Sequence, residues 1–273
     1  MNFLALSYAG VTVQEYREIK TVQSEFRLTQ KIQSKLSAAI RLDTELINKE
    51  LLRRNITFIT IDDEDYPVLL REIHDPPYIL YLKGQRSLLK RPMLGIVGSR
   101  KATRYTSESL DKIIPDLKNL SIVSGLAYGA DEIAHKLCLS YNVPTIGVLA
   151  FGHDLHYPKS TYSVRDRMEQ AGLTISEYPP HASIEKWRFI ARNRIIAGLA
   201  NGVLVTEAEE KSGSLITLEM AMNENRNTYC LPGNITSLLS KGTNSRIQEG
   251  AEIVLSSDDI LKDYLEISSI LPM

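Results

Sequence analysis

Met93-Leu94-Gly95-Ile96-Val97-Gly98-Ser99-Arg100 and Leu120-Ser121-Ile122-Val123-Ser124-Gly125-Leu126-Ala127-Tyr128-Gly129-Ala130-Asp131 share one pattern. Each opens with an apolar run that is too short for a helix and rich in β-branched residues, so it reads as a buried strand. Each then passes through a small-residue loop into helical spacing, Thr106 to Leu117 after the first and Asp131 to Tyr141 after the second. Strand, glycine loop and helix, repeated, make the βαβ unit of a parallel sheet. Ligands of such sheets sit beyond the carboxyl ends of the strands, where loop amides and helix amino ends favour anions. A glycine in one such loop often does no more than permit a tight turn. Two loops on neighbouring strands, the first carrying Arg100, Lys101 and Arg104, point together to phosphate binding.

Outward from this centre the alternation continues. Strands are expected at Pro144–Leu149, Leu173–Ser176, Gly202–Thr206, Thr228–Leu231 and Ala251–Val254. Helices are expected at Thr161–Gln170, Ile184–Ala200, Leu215–Glu224 and Asp258–Tyr264. Upstream, Ile56–Ile61 and Tyr78–Leu82 have strand character and are read as extensions of the same sheet. Residues 1–55 are rich in Leu, Ile, Gln, Lys and Glu, with Ile32, Leu36, Ile40, Leu46 and Leu51 at helical spacing. The expected organisation is a small helical domain over 1–55, an extended Rossmann-like α/β domain over 56–265 with a mostly parallel sheet and helices on both faces, and a tail over 266–273 that frays from Ile267.

Composition excludes several classes. With 43% hydrophobic and 24% charged residues the chain is globular rather than disordered, and its formal net charge of -1 says nothing about where charge clusters. Cys138 and Cys230 form neither a disulfide nor a metal pattern, and the five histidines add no ligand spacing. Met1–Gly10 lacks an export signature and no apolar run reaches membrane length. The expectation is a cytoplasmic protein without metal, cofactor or membrane contact. Neither glycine loop closes with Gly-Lys-Ser/Thr, and the spacing of Gly125 and Gly129 does not fit a dinucleotide fingerprint.

Four further loops belong on the same rim: Phe151–Lys159, Glu177–Pro180, Glu207–Ser214 and Pro232–Asn234. The segment Lys186-Trp187-Arg188-Phe189-Ile190-Ala191-Arg192-Asn193-Arg194 adds four basic residues interleaved with the only tryptophan and a phenylalanine. Phosphates need counter-charge and unpaired bases stack on aromatic rings, so this mixture favours single-stranded nucleic acid. Arg192 and Arg194 lie two apart on a helix and cannot point the same way; one of them is free to pair with Glu177 or Glu207. Catalytic candidates are thin. Ser99, Ser124, Ser212 and Ser214 have no evident His–Asp partners, and Asp131 with His135 reads as a cap and a packed histidine. Asp154, Glu177 and Glu207 read as carboxylates that cap loops or pair with arginines.

These motifs in this order resemble the bacterial DNA-processing protein A (DprA/Smf) family over roughly Ile56–Leu265. The resemblance rests on Gly98-Ser99-Arg100, on Ser124-Gly125-x-Ala127-x-Gly129-x-Asp131 with His135, and on Tyr157-Pro158-Lys159. It rests further on Ser176-Glu177-Tyr178-Pro179, Arg192-Asn193-Arg194-Ile195-Ile196-Ala197-Gly198-Leu199, Glu207-Ala208 with Ser212–Thr217, and Pro232-Gly233. It implies an extended Rossmann-like domain that binds single-stranded DNA, forms a homodimer and loads the recombinase RecA onto incoming DNA in natural transformation. Carried over by position, DNA contacts fall on Arg100, Lys159, Arg192 and Arg194, beside Gly98, Ser99, Ser124, Gly125, Gly129, Ser212, Gly213 and Ser214. Tyr128 stands where relatives often carry lysine, and Ile190 where they often carry proline. No winged-helix domain is expected after Asp259. The expected dimer surface draws on Leu215, Met220, Met222, Leu238 and Leu239.

The rival class is an enzyme, a nucleoside-monophosphate phosphoribohydrolase on a related sheet. Its Pro-Gly-Gly-x-Gly-Thr loop is broken here at Pro232-Gly233-Asn234-Ile235-Thr236. The expectation is therefore a binding protein that is not an enzyme.

Overall fold

The computed structural model describes residues 2–21 and 28–270, the last six of these by backbone alone. Four helices come first: α1 (Phe3–Tyr8), α2 (Val13–Thr21), α3 (Gln30–Ile40) and α4 (Thr44–Arg53). Then follow β1 (Thr57–Thr60), α5 (Val68–Arg71), β2 (Ile79–Gly84), β3 (Met93–Val97), α6 (Arg104–Ile113), β4 (Ser121–Ser124) and α7 (Ala130–Tyr141). The second half holds β5 (Thr145–Val148), α8 (Tyr162–Ala171), β6 (Leu173–Ser176), α9 (Lys186–Leu199), β7 (Gly202–Val205) and α10 (Gly213–Asn223). It ends with β8 (Asn227–Cys230), α11 (Leu238–Gln248), β9 (Glu252–Ile253) and α12 (Asp258–Ile270). The tail expected to fray from Ile267 is helical to Ile270; residues 271–273 lie outside the described residues.

All nine strands form one sheet in the order β1-β2-β6-β5-β4-β3-β7-β8-β9. β1 and β2 join antiparallel at one edge, against β6, and every other neighbour pair is parallel. Strand alternation feeds two cores. Val97 and Val203 face one side of the sheet, where α9 and α10 add Ile195, Ile196, Leu199, Leu215 and Leu218. Leu94, Ile96 and Leu204 face the other, where α6, α7 and α12 add Leu110, Ala134, Cys138, Ile260 and Tyr264. Burial on both faces explains why these strands read as continuous apolar runs.

The first four helices build directly on the sheet edge. Leu4, Leu6, Tyr16, Ile47 and Leu51 share a core with Tyr78, Ile79 and Tyr81. Tyr78 donates its hydroxyl to the Val11 carbonyl at 2.7 Å, and Tyr81 donates to Ser7 Oγ at 2.8 Å. Two of the apolar positions at helical spacing point outward: Ile40 is 85% exposed and Leu46 54%. The buried series is instead Ile32 and Ala39, then Ile47 and Leu51, and at 100° per residue a position adjacent to a buried one turns away.

Candidate nucleic-acid interface

β3 has β4 on one side and β7 on the other, so the chain reverses its direction of travel across the sheet at this point. Loops from neighbouring strands diverge there and leave a crevice at the carboxyl ends. Its volume is about 340 Å³, and its walls are Gly98–Lys101 after β3, Ala127 and Asp131 after β4, Ser212–Ser214 at the start of α10, and Phe189, Ile190, Arg192 and Asn193 of α9.

Backbone geometry fixes the loops. Gly129 adopts φ +88°, and a Cβ there would lie 2.5 Å from the Ser99 carbonyl oxygen, so the β3 and β4 loops close on each other only through glycine. Glu207, 3% exposed, ties the β7 loop to the β3 loop. Its carbonyl accepts from Ser99 N at 2.7 Å, and its carboxylate accepts from Thr103 N and from the Thr103 and Thr106 hydroxyls at 2.7–2.8 Å. Ser212 caps α10, with its hydroxyl 2.8 Å from that of Ser214. The positive end of an 11-residue helix thus meets the crevice.

The two arginines of α9 have separate fates. Arg192 is 4% exposed and passes under the β4 loop, donating from Nη1 to the carbonyls of Gly125 and Val148 at 2.6 Å each. Gly125 is glycine because of it: a Cβ would sit 2.1 Å from Arg192 Nη1. Burial, with Arg100 nearby, lowers Arg192 to about 10 against the opposing pull of Asp131, so it stays cationic at neutral pH. Asp131 accepts the Gly125 and Ala127 amides at 3.2 and 3.3 Å, and burial raises its pKa against Arg192 and those amides. Arg194 leaves the crevice altogether. It donates to both Glu177 carboxylate oxygens at 2.9 and 2.6 Å and pairs with Asp75 at 2.8 Å. Burial alone would pull its pKa down, but Glu177 and Asp75 carry it above the usual arginine range.

Four site expectations therefore change. Arg192, expected as a DNA contact, is buried and holds the β4 loop through the Gly125 and Val148 carbonyls. Arg194 is an internal ion-pair residue, held by Glu177 and Asp75 on the side of α9 opposite Arg192. Ser124 is fully buried and donates to the Ile96 carbonyl at 2.6 Å, so its hydroxyl is part of the sheet interior. Gly125 contributes a carbonyl and an amide that are already bonded to Arg192 and Asp131. Arg100, Lys101 and Lys159 are exposed. Lys159 is outside the crevice, beyond a hollow of about 50 Å³ that Arg100, Tyr128, Tyr157 and Phe189 line. Its loop is braced by an Arg54–Asp154 pair at 2.6 Å and by the edge contact of Tyr157 on Phe189, 5.6 Å between ring centroids.

Sequence reasoning passed over Ile190 and Asn193 as crevice walls. Asn193, one turn on from Phe189 at i+4, had that spacing as its signal; Ile190, next to Phe189 and about 100° around the helix, had none. No cluster of His, Cys, Asp and Glu suited to a metal occurs among the described residues.

The sequence profile of the DNA recombination-mediator protein A family matches residues 57–265. The chain belongs to this family. It is 43% identical over 225 residues to the DNA processing protein DprA of Streptococcus pneumoniae, covering 82% of this chain and 79% of that one. It is 38% identical to the Bacillus subtilis DprA, over 78% and 73% of the two chains. The solved structure of S. pneumoniae DprA superposes with a TM-score of 0.84 at 37% identity, covering 96% of this chain and 98% of the other. A Helicobacter pylori family member, whose structure describes a single-stranded DNA binding mode, superposes with a TM-score of 0.70 at 29% identity over 77% and 96% of the chains. The family relation spans the whole sheet, from β1 to β9.

Proposed function

We propose that this protein binds single-stranded DNA along the sheet rim and hands it to the recombinase RecA during DNA uptake and recombination. The observation that carries the reading is the junction of cation and aromatic at one crevice. Arg100 stands between the α10 helix start and a collar of Tyr128, Tyr157 and Phe189, with Lys159 beyond. Cations hold phosphates and exposed rings hold unpaired bases, a combination that a duplex, with its bases stacked inside, would use poorly. The H. pylori relative's single-strand binding supports it. Hand-off to RecA rests on the family's role as recombination mediator.

The reading extends to a cytoplasmic homodimer without catalytic turnover. No helix among the described residues is long and apolar enough to cross a membrane. Of the residues expected at the dimer surface, Leu215 belongs to the core and Met220 packs partly against it. Met222 and Leu238 are 58% and 65% exposed, joined by Ile235 at 86% and Leu255 at 75%. Exposed apolar side chains of this size supply surface that a partner copy would cover. Against turnover, Glu207 is engaged by three donors and His135 is fully buried with Nδ1 on Thr145 at 2.7 Å, so neither is presented to a ligand.

The test is a labelled oligonucleotide, single-stranded against duplex, titrated across a salt series with wild-type protein, Arg100→Glu, Lys159→Glu and the double variant. The expected result is a preference for the single strand that the double variant abolishes. Unchanged affinity and salt dependence in folded double variant would place the DNA elsewhere. Free base or phosphate released from a nucleotide by wild-type protein would favour the enzyme instead.

A further inference from the structure

Trp187 is the only tryptophan in the chain, and 58% of it is exposed on the first turn of α9. It shares a face of the helix with Ile190, one turn on and 53% exposed, which is itself a wall of the Arg100 crevice. The ridge Trp187–Ile190 is therefore continuous with the crevice wall and leads over α9 to its other flank. On that flank lies a groove of about 900 Å³, with Trp187, Tyr178 and Tyr8 among its walls.

The residue next to the indole is anchored. The Arg188 guanidinium lies 4.3 Å from the Tyr178 ring centroid and 5.5 Å from that of Trp187, and donates to the Ser183 carbonyl at 2.7 Å. Arg188 is thereby a bracket joining α9 to the loop before it. Of the acidic residues in the groove, Glu177 and Asp75 pair with Arg194 and Glu224 accepts the His74 amide; nearer the ridge the cations Lys186 and Arg188 stand beside exposed Glu185.

We infer that Trp187 is a base-stacking platform, on which the single strand leaving the Arg100 crevice lays an unpaired base as it crosses α9. This rests on the proposed DNA reading of the crevice and extends it to a residue outside the glycine, serine and arginine motifs. Continuity with the crevice through Ile190, and a flat aromatic face beside cations, are what an unpaired base on a phosphate backbone requires.

The single tryptophan makes the test direct. Intrinsic emission of the whole protein is titrated with an oligothymidylate while the anisotropy of a labelled copy of the same oligonucleotide reports binding. Emission should fall in step with the anisotropy change, and a base-free deoxyribose-phosphate chain of equal length should bind without that fall. Trp187→Ala should weaken binding roughly 5- to 100-fold, the range for one base stacked on one ring, while Trp187→Phe retains most of the affinity. Thermal melting checks that both variants are folded. If the labelled strand binds while emission stays constant and Trp187→Ala binds like wild type, the platform is wrong and the crevice reading stands. If wild-type protein binds no oligonucleotide at all, the crevice reading fails and the platform with it.

Discussion

Arg100 and Arg192 border the same crevice, yet Arg100 is open to solvent and Arg192 is 4% exposed with two backbone carbonyls on one nitrogen. Arg194, two residues further on, is internal again, on the opposite side of the helix. The α9 arginines hold loops and carboxylates in place, and the loop cations Arg100, Lys101 and Lys159 present charge outward. A basic motif thus divides into charge that shapes the site and charge that can meet a ligand. The division follows from desolvation, since a buried cation is tolerable only when hydrogen bonds or a counter-ion replace its water.

The largest effect that would test this division is Arg194→Met. Glu177, its side chain 7% exposed, would be left beside Asp75 without its cation, and such a broken buried pair costs about 3–5 kcal/mol. Chemical denaturation should show that loss, while the folded variant keeps the wild-type salt dependence of DNA binding. A lost salt slope with unchanged stability would return Arg194 to the ligand-facing group.

Acid should act on the interior next. His135, packed behind Arg192, and His153 are both held down to about 3 by burial, with Arg192 and Arg165 adding to it. Both are neutral when folded and take up a proton near 6.5 when unfolded, so the unfolded state binds more protons between those values. Their stabilisation is complete above about pH 6.5 and falls as pH drops toward 3, by about 1.4 kcal/mol per pH unit for each histidine. Melting curves from pH 7 to pH 4 should show the decline, and His135→Asn should flatten it. An equal slope in that variant would remove His135 from the account.

Gly125→Ala tests the inner group without altering charge. The new methyl would occupy the position of the Arg192 guanidinium, and overpacking of this kind costs about 1–3 kcal/mol. Binding should weaken as well, because the β4 loop must shift. Arg100→Ala and Lys159→Ala should leave stability within about 0.5 kcal/mol of wild type, being exposed. Each should lower the magnitude of the log-affinity against log-salt slope by roughly 0.7 for each phosphate lost. A fall in melting temperature with no change in slope would reverse the assignment for either residue.

How far the chain is legible depends on where the decisive contact lies. α7 and α10 follow their strands as read, because β-branched runs and glycine loops are local signals. α11 went unread. Its buried residues are Ser240, Gly242 and Thr243, so no apolar stripe marks it. It exists because it approaches the β7 loop so closely that a Cβ on Gly242 would lie 2.7 Å from the Ala208 and Glu209 carbonyl oxygens, and Gly242 N donates to Ala208. Ile40 and Leu46 are exposed for a related reason: spacing shows that a helix has an apolar face, and packing decides which residue at its margin is covered.

The sequence by itself determined the strands, the loops at their carboxyl ends, the family and the cations on the rim, all of which depend on neighbours within a few residues. It determined too that Arg192 and Arg194 must diverge, since helical geometry separates positions two apart. Only the tertiary structure decided that β3 and β7 flank the reversal point, that Arg194 belongs to Glu177 and Arg192 to the Gly125 and Val148 carbonyls, and that Ser124 lies inside. The side-chain outcomes depend on partners 17 to 67 residues away along the chain, and the β3–β7 pairing on residues farther apart still. Strand order and burial bring such partners together, and no local pattern encodes them.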